Sequence, residues 1–286
     1  MSPPASSPSA EWSSITQLPF TVCLAFAGFR KLANILLRAL GKFDFVFGRL
    51  GRWCVRIHLP DGQRLVIRPF SNDPMIVKEI YISKGYERFF SPAEGQQIVD
   101  VGAQVGVFTV KAAKLIGPRG KLIAFEPEPE NFRLLSLNVR MNGLDHVDMF
   151  RIALSSSRGR KPFRVSLAGA TGAHTLEFRK SATQRRPLRA MIVDVDCETL
   201  DSFIAERSVS SLDLLKIDVE RHELEVLGGA TGTIQRFHPK IVVERQPRDA
   251  APDAVREYLL DRGYETLVSE DLPWIVHAIP GDAGQP

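Results

Sequence analysis

The run Ile98-Val99-Asp100-Val101-Gly102-Ala103-Gln104-Val105-Gly106-Val107-Phe108-Thr109, followed by Ile123-Ala124-Phe125-Glu126-Pro127, leaves this chain few folds to choose from. Ile98, Val99 and Val101 predict a strand buried on both faces, and Gly102 and Gly106 predict a sharp turn whose backbone approaches a ligand closely. The turn opens a helix with its unpaired N–H groups at the strand end. Glu126 ends the next strand about 20 residues after Gly106, the spacing at which a nucleotide-binding βαβ unit sets a carboxylate against ribose hydroxyls. The unit predicts a ligand that carries an adenosine. The plainer alternative is that both glycines only shape a tight strand-to-helix turn.

The glycine spacing narrows the ligand. A dinucleotide site shows G-x-G-x-x-G, with the second glycine exposing amides to a pyrophosphate, whereas here Val107 and Phe108 follow Gly106 directly. A nicotinamide-dependent oxidoreductase is disfavoured by the missing third glycine. Asp100 would repel a phosphate and suits a cationic ligand. S-adenosylmethionine carries an ammonium, a sulfonium and a ribose, so Asp100 is expected to answer its amino acid part and Glu126 its sugar.

Further segments follow in order: Tyr86-Glu87, Asp100-Val101-Gly102-Ala103 with Gly106, Phe125-Glu126-Pro127, Asn138, Ala153-Leu154, Thr199-Leu200-Asp201, Leu212 to Glu220, Glu223 with Val226-Leu227, and His238-Pro239 to Glu244. In this order they resemble the FkbM-type S-adenosylmethionine-dependent methyltransferases, a branch of the class I, Rossmann-like methyltransferases, from about Ile76 to about Glu244. The resemblance implies an α/β fold with a mostly parallel seven-stranded sheet flanked by helices, here with an N-terminal helical and hairpin extension. It also implies O-methylation of a hydroxyl on a sugar, polyketide or related metabolite, so the expected partner is a small-molecule or glycan acceptor. Carried over residue by residue, the cofactor contacts fall on Asp100, Gly102, Ala103, Gln104, Gly106, Glu126, Pro127 and Ser155, the last in the loop expected to meet the adenine.

Two positions depart from the family pattern. Gln104 stands where Asn is usual, keeping the amide but lengthening it by a methylene. Arg221 stands where Gly is usual, which costs stability wherever φ must be positive. These departures motivate the competing reading, a catalytically silent binding or scaffolding protein that kept the fold.

The second chemical focus is Leu214-Leu215-Lys216-Ile217-Asp218-Val219-Glu220. Alternation along a buried strand places Lys216, Asp218 and Glu220 on one side, and strand carboxyl ends line the ligand crevice of open α/β sheets. Asp218, Glu220 and His222 are therefore candidate bases for an acceptor hydroxyl, His222 having the most suitable unperturbed pKa. The alternative for Lys216 is a structural salt bridge to one carboxylate. Two carboxylates without a third ligand argue against a resident metal. Tyr86, His174, Arg221 and Glu244 are the acceptor-side candidates, His174 in a long basic stretch of the kind that forms binding lids.

Composition excludes little else. With 286 residues, 44% hydrophobic and 24% charged, the chain can build a sizeable core. A net charge of +4 is spread without an aromatic-interleaved basic stripe, so no nucleic-acid partner is expected. Cys23, Cys54 and Cys197 form no CxxC pair and no even set, which predicts a reducing, cytoplasmic compartment. The expected division is a disordered tail over 1–15, the helical and hairpin extension over 16–90 and the S-adenosylmethionine-binding domain over 91–280. Within the extension, residues 18–40 open on an apolar run, Leu18 to Phe29, that is too short to span a bilayer. They read either as an amphipathic contact with a membrane surface or as a cap on the core. Apolar alternation on either side of Pro60-Asp61-Gly62 predicts a β-hairpin.

Overall fold

The computed structural model describes residues 15–26, 28, 53–166, 176, 190–245 and 253–281. Its centre is a seven-stranded sheet. With strands numbered in chain order, it comprises β4 (Gln97–Val101), β5 (Lys121–Phe125), β6 (Val147–Phe150), β10 (Leu214–Ile217), β11 (Lys240–Glu244), β12 (Tyr264–Ser269) and β13 (Leu272–Pro280), in the order β12-β13-β11-β10-β4-β5-β6. The pairs from β6 to β11 are parallel, and β13 enters antiparallel beside β11 with β12 on its outer edge. This is the mostly parallel seven-stranded α/β sheet that the sequence leads one to expect.

Alternation along the strands splits the core between two faces. Ile98, Leu122, Ala124, Leu214 and Val242 pack on one face, and Val99, Ile123, Phe125, Leu215, Ile217 and Val243 on the other. In the parallel register Asp100 faces Lys216 across β4 and β10. Two charged side chains therefore enter an otherwise apolar face side by side.

Two smaller sheets flank the main one. β1 (Gln17–Leu18), β2 (Val55–His58) and β3 (Arg64–Ile67) form the first, with β2 and β3 as the expected hairpin around Asp61-Gly62. β7 (Ala153–Leu154), β8 (Gly159–Ser166) and β9 (Ala190–Glu198) form the second. β6 breaks off after Phe150, and β7 leaves the main sheet to pair with β9. The described start of the apolar N-terminal run packs inward, Cys23 being 1% exposed and Phe20 lying edge-on to Tyr81 at 6.3 Å. Residue 27 and residues 29–40 of the 18–40 segment lie outside the described residues. Among the described residues no helix is long and apolar enough to cross a membrane.

The helices that position the strand ends are α1 (Asp73–Lys78, continued by a π turn over Glu79–Ser83), α2 (Val107–Ile116), α3 (Pro129–Met141), α4 (Leu200–Glu206), α5 (Glu223–Gly228), α6 (Thr231–Phe237) and α7 (Ala254–Leu260). Thr199 caps α4 through Ser202 N, while Asp201 accepts from the N–H groups of Gly232 and Thr233 at 2.9 and 2.6 Å and so caps α6 as well. The Thr199-Leu200-Asp201 segment thus locks two helices together and lies away from the chemistry.

Asn138, fully buried on α3, ties the hairpin to the main sheet's first turn. Its Oδ1 accepts from Val66 N at 2.7 Å, and its Nδ2 donates to Val66 O at 3.1 Å and Val105 O at 2.8 Å. Asn138→Ala strands these buried groups at a cost of roughly 1–3 kcal/mol each. Urea denaturation should accordingly show a loss of about 3 kcal/mol, against under about 0.5 kcal/mol for exposed-surface controls.

Candidate active site

The centre of the site is the ammonium of Lys216. It lies 3.0 Å from Asp100 Oδ1 and 3.9 Å from Asp218 Oδ2, and it donates to Gly102 O at 2.8 Å. Burial alone would lower the Lys216 pKa, but Asp100 and Asp218 outweigh it and the ammonium is held charged above its ordinary range. Thr109 Oγ1 also donates to Asp100 Oδ2 at 2.6 Å. Asp100 is therefore fully buried and neutralised behind the wall of the site. The expectation that it answers the ligand's ammonium directly is corrected, because its charge is already spent on Lys216.

Both glycines of the turn are fixed by packing. A Cβ on Gly102, at φ +77°, would lie 1.9 Å from Asp218 O, and one on Gly106, at φ +86°, would lie 2.6 Å from Leu135 Cδ1. Gly102 lines the cavity and Gly106 does not. The N–H groups of Gly102 and Ala103 both donate to Phe125 O at 3.0 Å, which brings the turn beside Glu126.

Glu126 is the best-defined group on that side. Its Oε2 accepts from Gln104 N at 2.8 Å and its Oε1 from Glu128 N at 2.9 Å, with Asn131 Nδ2 at 3.5 Å. Burial nevertheless raises it to about 7. Such a carboxyl gains from further hydroxyl donors, which favour its ionised form, and a ribose supplies two. Gln104 sits in left-handed backbone at φ +53°, and its Nε2 donates to Asp73 Oδ1 at 2.7 Å. The side chain thereby reaches α1, where Asp73 is paired with Arg68 at 2.9 Å.

A cavity of about 260 Å³ opens between this edge and the end of β10. Ala103, Gln104, Glu126 and Pro127 line one part, while Tyr86, Lys216, Asp218, Glu220, His222 and Glu244 line another, joined by Glu79 from the π turn. Asp218 keeps about 30% of its side-chain surface exposed, and it is a wall residue of this cavity. Tyr86 Oη lies 2.6 Å from Glu244 Oε2 and 3.0 Å from Asp218 Oδ2. Burial, reinforced by Asp218 and Glu223, raises Glu220 to about 8.

Glu220 and Arg221 occupy left-handed backbone at φ +52° and +81°. The position where Gly is usual does require positive φ, and Arg221 bears the strain, roughly 1–2 kcal/mol for a residue with a Cβ. Arg221 does not line the cavity; its N–H donates to Glu223 Oε1 at 2.8 Å. Ser155 also turns away from the cavity, its Oγ 2.9 Å from His222 Nε2 and accepting from Lys161 Nζ at 2.7 Å. The expectation that its hydroxyl meets an adenine is corrected, since that hydroxyl is buried against His222. His174 lies outside the described residues. Sequence reasoning did not single out Glu79, whose Oε1 accepts from Trp274 Nε1 at 3.3 Å. Glu79 sits on a helix of the extension, with no motif around it to mark its arrival at the strand ends. Among the described residues no group of three or more His, Cys, Asp or Glu side chains is arranged to hold a metal ion.

Glu126 and Glu223 near 7 and Glu220 near 8 set a direction for stability. Each binds its proton more tightly folded than unfolded, so its contribution is complete below the ordinary carboxyl range and is lost as pH rises through the folded value. The ligand-free protein should melt at a lower temperature near pH 8 than near pH 5, and Glu220→Gln should flatten the slope in differential scanning calorimetry.

Residues 100–266 match a family model described as the methyltransferase FkbM domain. Methyltransferase sdnD of Sordaria araneosa is 29% identical over 213 residues, covering 66% of this chain and 81% of its own. The 31-O-demethyl-FK506 methyltransferase FkbM of Streptomyces tacrolimicus is 25% identical over 236 residues, covering 75% of this chain and 90% of its own. AMB antimetabolite synthetase AmbE of Pseudomonas aeruginosa is 25% identical over 252 residues, 76% of this chain, but this chain spans only 12% of that protein. Because the family model runs from the carboxyl end of β4 into β12, across the turn and the acidic strand ends, and so covers more than half of the chain, the chain belongs to the FkbM methyltransferase family.

Proposed function

We propose that this protein transfers the methyl group of S-adenosylmethionine to a hydroxyl oxygen of a small molecule or glycan, in a reducing, cytoplasmic setting. The observation that carries the proposal is that Glu126, already supplied with two backbone N–H donors, and Asp218 open onto one cavity. When bound, the cofactor supplies an electrophilic methyl group on a sulfonium centre. Residues 91–280 form the binding unit and residues 16–90 the extension over it, behind a tail at 1–15. In this reading Glu126 takes the ribose hydroxyls, while Gly102, Ala103, Gln104 and Pro127 form the surrounding wall.

Asp218 is the proposed base. Burial raises the Asp218 carboxyl above its ordinary range, Lys216 and Tyr86 oppose that rise by stabilising its ionised form, and its exposed part faces the cavity. Glu220 flanks it, and His222, just beyond, is held by Ser155. Burial pushes Glu79, Glu220 and Glu244 toward their neutral forms, so this part of the wall offers hydrogen bonds to an uncharged hydroxyl and no compensating charge to a carboxylate or phosphate. The Streptomyces relative is named for methylating 31-O-demethyl-FK506, which agrees with an oxygen acceptor.

Orientation of two bound reactants is worth about 7–11 kcal/mol, and a base typically contributes about 10²–10⁴-fold. Asp218→Asn should therefore lower methyl transfer by about 10²–10⁴-fold while leaving S-adenosylhomocysteine binding intact. The check is transfer of labelled methyl groups to a panel of neutral sugars and polyketide alcohols, with carboxylate- and phosphate-bearing analogues beside them. Transfer to the charged analogues alone would overturn the assignment of the acidic wall to a neutral acceptor.

A further inference from the structure

Tyr86 stands between two carboxyl groups, with its phenolic oxygen 2.6 Å from Glu244 Oε2 and 3.0 Å from Asp218 Oδ2. A phenol has one proton to donate. Both contacts are hydrogen bonds only if one of the two carboxyl groups carries a proton and donates it to the phenolic oxygen. Otherwise one carboxylate would face an oxygen lone pair across a buried contact, at a cost that no partner offsets.

The charges nearby decide which carboxyl holds the proton. Lys216 Nζ lies 3.9 Å from Asp218 Oδ2, so an anion is stabilised there. Among the described residues Glu244 makes no ion pair, and its neighbours are Asp218, Glu79 and Glu220. The other groups packed around the pair do not alter the balance. Asp100 on β4 is spent on Lys216, and His277 on β13 is kept neutral by burial, its imidazole pushed down to about 4. Burial raises both carboxyls, but Lys216 opposes the rise at Asp218, whereas Asp218 and Glu79 add to it at Glu244, which is held well above the ordinary carboxyl range, in the same direction as the geometry.

We propose that Glu244 is a protonated positioning residue, whose acid proton, given to Tyr86 Oη, turns the phenolic O–H toward Asp218 and keeps Asp218 ionised as the base. The order of donation is Glu244 to Tyr86 to Asp218. Resting on the methyl-transfer reading above, the step it serves balances as follows. The acceptor oxygen bonds the methyl carbon, the carbon–sulfur electron pair stays on sulfur, and the hydroxyl proton passes to Asp218. Glu244 keeps its own proton throughout. When Glu244 ionises, the shorter contact draws the phenolic proton to itself, and Asp218 loses its donor and gains a repelling neighbour.

The test reads the carboxyl groups themselves and needs no acceptor. The full-length protein is labelled at aspartate and glutamate side-chain carboxyl carbons and titrated by NMR. Glu244→Gln and Asp218→Asn identify the two resonances by their absence. The expected result is a neutral-acid shift for Glu244 and a carboxylate shift for Asp218 at neutral pH. Tyr86→Phe should raise the Asp218 midpoint by about one to two pH units, the value of a hydrogen bond to a charged group. Glu244→Gln, whose amide still donates to the phenolic oxygen, should not raise it. An ionised Glu244 at neutral pH in the wild-type protein, or an Asp218 midpoint unmoved by Tyr86→Phe, would overturn the proposal. Either result leaves the methyl-transfer reading standing, whereas failure of labelled methyl transfer with the expected shifts present would sink that reading alone.

Discussion

The strand ends depend on how closely the turn after β4 approaches the end of β10. With only 1.9 Å between an ideal Cβ on Gly102 and Asp218 O, no side chain fits there. Lys216 fills the space beneath, bonding Gly102 O and compensating Asp100. A buried ion pair of this kind adds little net stability when compared with apolar residues of the same volume, and removing one member costs several kcal/mol. Its consequence here is geometric. It sets the carbonyl of Gly102 and the carboxylate of Asp218 at fixed positions on the rim of one cavity.

From that rim the remaining groups follow. The amides of Gly102 and Ala103 are pinned to Phe125 O, which places Gln104 N on Glu126 and Gln104 Nε2 on Asp73. The site is assembled at a conformational cost, since Gln104, Glu220 and Arg221 all lie in left-handed backbone. Backbone strain of this sort persists where surrounding contacts over-determine it, and it clusters at functional sites. The carboxyl groups tell the same story, for Glu126, Glu220 and Glu244 are all pushed upward by burial. Such groups gain from ligand hydroxyls, which offset what folding has taken from them.

Much of the fold was legible because its signals are local. Apolar runs such as Ile98 to Val101 and Leu214 to Ile217 read as buried strands, and Asp61-Gly62 between alternating residues read as a hairpin. The break after Phe150 was not legible, because pairing of Ala153 and Leu154 with Cys197 and Glu198 is a long-range event. At the site, strand-end positions led to side chains that line the cavity, Glu126, Asp218 and Glu220 among them, but the direction in which each charge is answered was not legible. Asp100 looks like a ligand group until Lys216 is seen at 3.0 Å, an alternative that alternation had left open. Ser155 looks like an adenine contact until its hydroxyl is seen on His222. Glu79 reaches the cavity only through the packing of the extension, which no spacing encodes.

The most direct measurement is titration calorimetry of S-adenosylhomocysteine into the purified protein, with NADH as the control ligand. The strand-end geometry predicts saturable binding of S-adenosylhomocysteine, lost in Glu126→Ala, and no binding of NADH. Binding of NADH in its place, or binding of S-adenosylhomocysteine that Glu126→Ala leaves unchanged, would contradict a cofactor site built on the turn at Gly102 and the carboxylate of Glu126.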